Sequence, residues 1–168
     1  YIICLLTLKI KVFYIHFYMT ISKINTLLIG LGNIGCGYDY DVNFVEDKPE
    51  SSSKILTHAR AVTCHPSFNL IAGIDISLSA RKRFEVVYKR PTYNNVYSFL
   101  DNENYDIDFV IIAVNPKYQP GLVEEVVEKI CPKVLLIEKP IATSMEESFK
   151  VQSICKRKTD LVVCVNYI

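Results

Sequence analysis

The hexapeptide Gly30-Leu31-Gly32-Asn33-Ile34-Gly35 follows directly on the apolar run Ile24 to Ile29. No other junction in the chain restricts the fold as much. A run with apolar residues on both faces reads as a central parallel strand. In G-x-G-x-x-G the first glycine permits a tight turn and the second lets backbone approach a pyrophosphate. The third lets strand and helix pack closely. Backbone amides at the start of the next helix then hold the anion. Gly30, Gly32, Asn33, Ile34 and Gly35 are therefore candidate cofactor-binding residues. The competing reading is an ordinary strand–turn–helix corner.

Beyond this turn, short apolar runs alternate with helical periodicity, the pattern of a parallel sheet with crossover helices. The expected fold is α/β: a Rossmann-type doubly wound parallel sheet with helices on both faces, ending after a sixth strand. Strands are expected at 24–29, 69–76, 91–93, 107–114, 133–137 and 161–167. Ser53 is positioned to cap a helix over 54–65 that Pro66 stops. A second helix carries Ala80, Phe84 and Val87 on one face, and a short one spans 96–100. The helix after the fourth strand turns Leu122, Val126 and Ile130 inward, with Pro120 in its first turn. Thr143-Ser144-Met145-Glu146 matches a capping box opening the last helix.

Length and charge narrow the function classes. With 168 residues, half of them hydrophobic, the chain can bury one core. Nineteen Lys and Arg against 18 Asp and Glu leave a net charge of +1. That balance supplies no electrostatic footprint for nucleic acid or an anionic membrane. Arg81-Lys82-Arg83 reads as a solvated helix face. The six cysteines form no C-x-x-C pair, so free thiols in a reducing cytosol are expected and the protein is read as cytoplasmic.

Residues 1–18 are apolar but broken by Lys9, Lys11 and His16, which spoils a membrane span. They lack the features of a signal peptide. The first methionine is Met19. Translation is expected to start there, with residues 1–18 an upstream stretch read in frame or a disordered extension, and with 19–168 the folded domain.

Asp75 is the candidate ribose clamp. It ends the second strand but stands 40 residues beyond Gly35, where about 20 is usual. The polar segment 36–52 accounts for the excess. A carboxylate there accepts hydrogen bonds from both ribose hydroxyls and repels a 2′-phosphate, favouring NAD; Arg81, Lys82 and Arg83 leave NADP open. Asp75 also reads as the cap of the next helix. Asn115 and Pro116 follow the fourth strand, on the edge where loops touch a cofactor, or they make a simple turn. Glu138-Lys139-Pro140 follows the fifth strand on that same edge. Lys139 reads either as a proton relay close to the cofactor or as a surface lysine. Glu138 reads as a cofactor contact, as the ion-pair partner of Lys139 or as a helix-cap acceptor, and Pro140 stiffens the turn. Cys36-Gly37-Tyr38-Asp39-Tyr40-Asp41 reads as an ordered loop over the cofactor mouth rather than a metal site, so no metal ligand is assigned. His58 and His65 read as satisfied helical histidines. Asn166 and Tyr167, at the end of the sixth strand, have no assignable partner.

The glycine turn, Thr57-His58-Ala59, the strand ending at Asp75, Glu138-Lys139-Pro140 and Val165-Asn166-Tyr167 occur in one order. In that order they resemble the N-terminal half of the glucose–fructose oxidoreductase, inositol dehydrogenase and MocA (Gfo/Idh/MocA) family, from about residue 24 onward. The resemblance implies NAD(P)-dependent oxidation or reduction of a sugar, inositol or nucleotide-sugar carbon. It also implies an active-site role for Lys139 close to the nicotinamide. The family pattern has Thr-Pro-Asn after the fourth strand and a histidine three residues on, where this chain has Val114, Asn115, Pro116 and Gln119. Family members continue into a second α/β domain that supplies a catalytic histidine and much of the oligomer interface. Oligomerisation is therefore expected only where that domain is present. Three readings follow: the cofactor half of an oxidoreductase with a sugar-like substrate, a catalytically inactive truncated NAD(P)-binding module, or a methyltransferase using the turn for S-adenosylmethionine. The last leaves Glu138-Lys139-Pro140 unexplained.

Overall fold

The computed structural model describes residues 23–39 and 55–166. The expectations for residues 1–18, the cap at Ser53, Tyr40, Asp41 and Tyr167 fall outside them. The described chain runs β1 (Ile24–Ile29), α1 (His58–Cys64), β2 (Phe68–Ile74), α2 (Leu78–Tyr88), β3 (Thr92–Tyr93) and α3 (Val96–Asn102). It continues through β4 (Phe109–Ile112), α4 (Gln119–Lys129), β5 (Val134–Glu138), α5 (Met145–Lys156) and β6 (Val162–Asn166). All six strands pair in parallel, in the order β3-β2-β1-β4-β5-β6. This is the doubly wound order whose reversal point lies between β1 and β4.

Alternation along the central strands explains why both faces are covered. Leu27, Ile29, Val110, Ile112, Leu135 and Ile137 face α3, α4 and α5, which contribute Phe99, Val123, Val126 and Ile154. Leu28, Leu70, Ile111 and Ala113 face the other way, onto Ala59 and Val62 of α1 and Ala80, Phe84 and Tyr88 of α2. Phe84 and Phe99 are fully buried, one on each face; each such side chain stabilises the fold by roughly 1.5–3 kcal/mol. Among the described residues, no helix is long and apolar enough to cross a membrane.

Several boundaries differ from expectation, each for a local reason. β4 and β5 end where their register with β1 and β6 ends. Helix α1 starts at His58, because Thr57 is extended and its hydroxyl accepts from Arg60 N. Helix α4 buries Val123, Val126 and Val127, whereas Leu122 and Ile130 are only partly covered. The apolar stripe is thus rotated from the one expected. The box at α5 sits one residue later: Ser144 Oγ accepts from Glu147 N at 3.2 Å. Glu147 Oε2 in turn accepts from Thr143 N at 3.1 Å and Thr143 Oγ1 at 2.6 Å. Serine at the extended position, not threonine before it, supplies the cap.

Candidate functional site

The glycine turn sits on the carboxyl edge of β1, at the reversal point. Gly30 has φ +97°, and a Cβ there would lie 2.3 Å from the carbonyl oxygen of Ala113 on β4. Only glycine fits both the backbone and the space. At Gly35 a Cβ would come 2.0 Å from Gly30 O, so the turn closes on itself. Gly32 is different. A Cβ there would meet nothing within 4 Å, so any need for glycine at this position comes from a ligand rather than from the protein.

After Gly32 the chain makes one helical turn, with Cys36 N and Gly37 N donating to Gly32 O and Tyr38 N to Asn33 O. The next helical bonds come from elsewhere: His58 N donates to Ile34 O at 3.1 Å and Ala59 N to Gly35 O at 2.9 Å. In a continuous helix the amide bonded to Ile34 would belong to residue 38, so about 20 residues are spliced into the first turns. Without them Asp75 falls at the usual interval from the glycines. The splice is tied down at its near end. Asp39 is buried and accepts a hydrogen bond from the Thr57 hydroxyl, and Arg60 Nη1 lies 3.9 Å from its Oδ1. Burial raises the neighbouring Tyr88 hydroxyl well above the usual tyrosine range. The described part of the 36–41 segment is therefore an anchored strut beside the turn.

Asp75, just past β2, accepts from Leu31 N through Oδ2 and from Ser77 N through Oδ1, both at 2.7 Å. It thus braces the glycine turn and orders the start of α2. Each carboxylate oxygen retains a lone pair for a further donor. Arg81 folds back, its Nη1 donating to the carbonyl oxygens of Asp75 at 2.6 Å and Ile76 at 3.2 Å. Gly30, Gly32, Asp75 and Asn115 border one cleft of about 610 Å³, with Ile76, Tyr118 and Leu122 among its apolar walls. That volume is in the range of small-molecule sites. Asn33 and Ile34 stand exposed on the turn. Asn115 Oδ1 accepts from Lys117 N at 3.0 Å, and Pro116 O accepts from Gln119 N, so this pair also makes a regular turn into α4.

Lys139 does not border that cleft. It is exposed and opens onto another hollow of about 430 Å³, lined by Ile141, Thr143, Ser144, Ser148 and Val165. Glu138 points inward. Its Oε1 accepts from His58 Nε2 at 2.7 Å and Asn166 Nδ2 at 2.5 Å, and its Oε2 from Lys139 N at 3.1 Å. Burial alone would raise this carboxyl, but the bonds from Asn166, His58 and the Lys139 amide outweigh it and hold the pKa below the usual glutamate range. The structure thus sets Glu138 in an internal network with His58 and Asn166 rather than on the cleft wall. Gln119, fully buried, joins the two strand-end loops: its Nε2 donates to Val114 O at 3.3 Å and Pro140 O at 3.0 Å. The sequence alone assigns no functional role to His58, Gln119 or Asn166. The signal that was present lay in Thr57-His58 and Asn166 belonging to the family pattern, and in Gln119 departing from it.

A family model described as an oxidoreductase family with an NAD-binding Rossmann fold matches residues 24–167. Comparison with the curated proteins gives no match. Solved structures share the fold. Myo-inositol 2-dehydrogenase from Lactobacillus plantarum superposes with a TM-score of 0.64 at 17% identity, over 86% of this chain and 36% of that one. The WlbA dehydrogenase from Bordetella pertussis, solved with NADH and UDP-GlcNAcA, gives 0.65 at 19% identity, over 86% and 35%. Scyllo-inositol dehydrogenase from Lactobacillus casei gives 0.64 at 16% identity, over 88% and 37%. The chain thus spans little more than a third of the length of these relatives.

Proposed function

The chain belongs to the Gfo/Idh/MocA oxidoreductase family through its NAD-binding Rossmann domain, and from that premise we propose that it is the cofactor-holding part of an NAD-dependent dehydrogenase or reductase. Its substrate class is a sugar, an inositol or a nucleotide sugar, reacting at a CH–OH or keto carbon. The observation that carries the cofactor assignment is the open space at Gly32: the turn tolerates a side chain sterically yet has none, as a backbone cradle for pyrophosphate requires. The bound nicotinamide would supply the redox chemistry. Backbone amides of the 30–35 turn would hold the pyrophosphate. The free lone pairs of Asp75 would take the ribose hydroxyls, and Ile76, Tyr118 and Leu122 would flank the base.

Asp75 favours NAD over NADP because its carboxylate faces the position a 2′-phosphate would need. Arg81, the nearest cation in sequence, is already committed to two backbone carbonyls. Lys139 is the group for moving a proton to or from the substrate oxygen, or for holding a substrate hydroxyl. A cytoplasmic setting fits the free cysteines.

Thermal unfolding with NADH and with NADPH tests this reading. A ligand at 100 times its Kd stabilises the fold by about 2.7 kcal/mol, so NADH should raise Tm at lower concentration than NADPH. The reverse order would remove the NAD preference, and no shift with either would remove the cofactor site. Loss of inositol- or sugar-dependent NADH formation in Lys139→Ala, with NADH binding intact, checks the role of the lysine. Binding without any turnover in the unsubstituted chain would leave a binding module.

A further inference from the structure

We propose that His58 is a positioning residue that ties the cofactor-binding turn to the backbone of Lys139, so that filling the turn steadies the lysine. The inference rests on the assignment of the glycine turn and Lys139 above.

His58 is the first residue of α1 and the point at which the spliced segment rejoins the helix. Its backbone amide donates to Ile34 O inside the glycine turn at 3.1 Å. Its ring reaches the other way, with Nε2 2.7 Å from Glu138 Oε1, across a sequence separation of 80 residues. Glu138 then accepts from Lys139 N through its other oxygen at 3.1 Å. Turn, histidine, glutamate and lysine backbone therefore form one unbroken series of hydrogen bonds. Both linking side chains are shielded, 13% exposed for His58 and 7% for Glu138, so water competes weakly for these bonds. Asn166 Nδ2 pins the same Glu138 oxygen at 2.5 Å from β6, leaving the carboxylate little freedom to swing away. On the far side of Lys139, Gln119 Nε2 holds Pro140 O at 3.0 Å.

Lys139 is thus exposed at its side chain but clamped before and after in its backbone. The clamp on its amino side leads back to the turn through His58. A satisfied structural histidine needs just one partner for its ring. This one also has its own amide on the turn, which makes it a connection and not only a filler of the helix face.

Hydrogen exchange read by mass spectrometry tests the connection, with ADP-ribose as the probe. That ligand fills the turn but has no nicotinamide ring to cover Lys139 directly. His58→Gln keeps a donor of similar reach and His58→Leu removes it. ADP-ribose should slow exchange at residues 31–35 in all three proteins. At Lys139 it should slow exchange in the unsubstituted protein and in His58→Gln, and that protection should fall by about fivefold or more in His58→Leu. Glu138→Gln is the second variant: it retains an acceptor for His58 but turns an NH₂ toward Lys139 N, and it should lose the Lys139 protection as well. Full Lys139 protection in His58→Leu with the turn still protected overturns the proposal, as does protection of the turn alone in the unsubstituted protein. If ADP-ribose protects neither region in the unsubstituted protein, the cofactor assignment fails first and takes this proposal with it.

Discussion

Glu138→Leu removes one carboxylate that serves three donors while nearly conserving side-chain volume. In the native structure Nε2 of His58, Nδ2 of Asn166 and the amide of Lys139 all converge on it, and Glu138 is 5% exposed. A buried donor left without its partner costs about 1–3 kcal/mol. His58 and Asn166 retain some contact with solvent, so the three losses together should fall short of the upper sum. The expected destabilisation is about 3–5 kcal/mol. Urea unfolding followed by circular dichroism should show the midpoint falling by roughly 2 M for a protein of this size.

The pH dependence gives an independent check. The Glu138 pKa is lowered in the folded state, against the upward push of burial, by its bonds from Asn166, His58 and Lys139 N. A depressed carboxyl pKa contributes stability that is fully present above the unfolded value of about 4.3 and is lost as pH falls through the folded value. The gap between the native protein and Glu138→Leu should therefore be widest near neutral pH and narrow steadily below about pH 4. A gap under about 1 kcal/mol at pH 7, or one that stays constant into acid, would refute the reasoning that these bonds are made to an ionised, buried acceptor.

The glycines separate fold from ligand. Gly32→Ala should leave Tm unchanged, because its Cβ meets no protein atom within 4 Å, and should weaken NADH binding by about tenfold or more, read by fluorescence titration; unchanged affinity would place the pyrophosphate elsewhere. Gly35→Ala should do the opposite, lowering stability by more than about 3 kcal/mol in urea, because its Cβ would sit 2.0 Å from Gly30 O. A variant as stable as the native protein would contradict that packing. On the proposed reading Asp75→Ser should raise the affinity for NADPH relative to NADH by about tenfold, by deleting the charge that reading sets against a 2′-phosphate; equal ratios before and after in parallel titrations would take Asp75 out of the ribose site.

Much of the fold was legible because its signals are local. Val134–Ile137 is apolar at every position and Leu27–Ile29 continues an apolar stretch on both faces of β1, as strands buried on both faces require, and Gly30 to Gly35 mark the corner between sheet and helix. The helix boundaries were less legible. Helix α1 opens at Thr57 rather than near residue 54, and Ser144 took the cap expected at Thr143, because the cap goes to whichever polar side chain lands on the extended residue as the chain enters the helix, and packing chooses that residue. The inward face of α4 was rotated for a similar reason. Several of its apolar residues can satisfy a helical period, and the shape of the sheet selects among them.

What the sequence determined by itself was the class of the chain: a parallel α/β sheet, a glycine turn at its carboxyl edge, an acid after β2 and a lysine after β5. Only the tertiary structure decided that the segment after Cys36 is spliced into a helix that resumes at His58, which returns Asp75 to its place beside the turn. Only the tertiary structure brought His58, Glu138 and Asn166 together, and set Gln119 between the loops after β4 and β5. A strand or a glycine turn is dictated by neighbours within a few residues, and its pattern survives in one dimension. A hydrogen bond between residues 80 apart exists because β1, β4 and β5 pair in that order and α1 packs on the face of the sheet they form, and no local pattern records that arrangement.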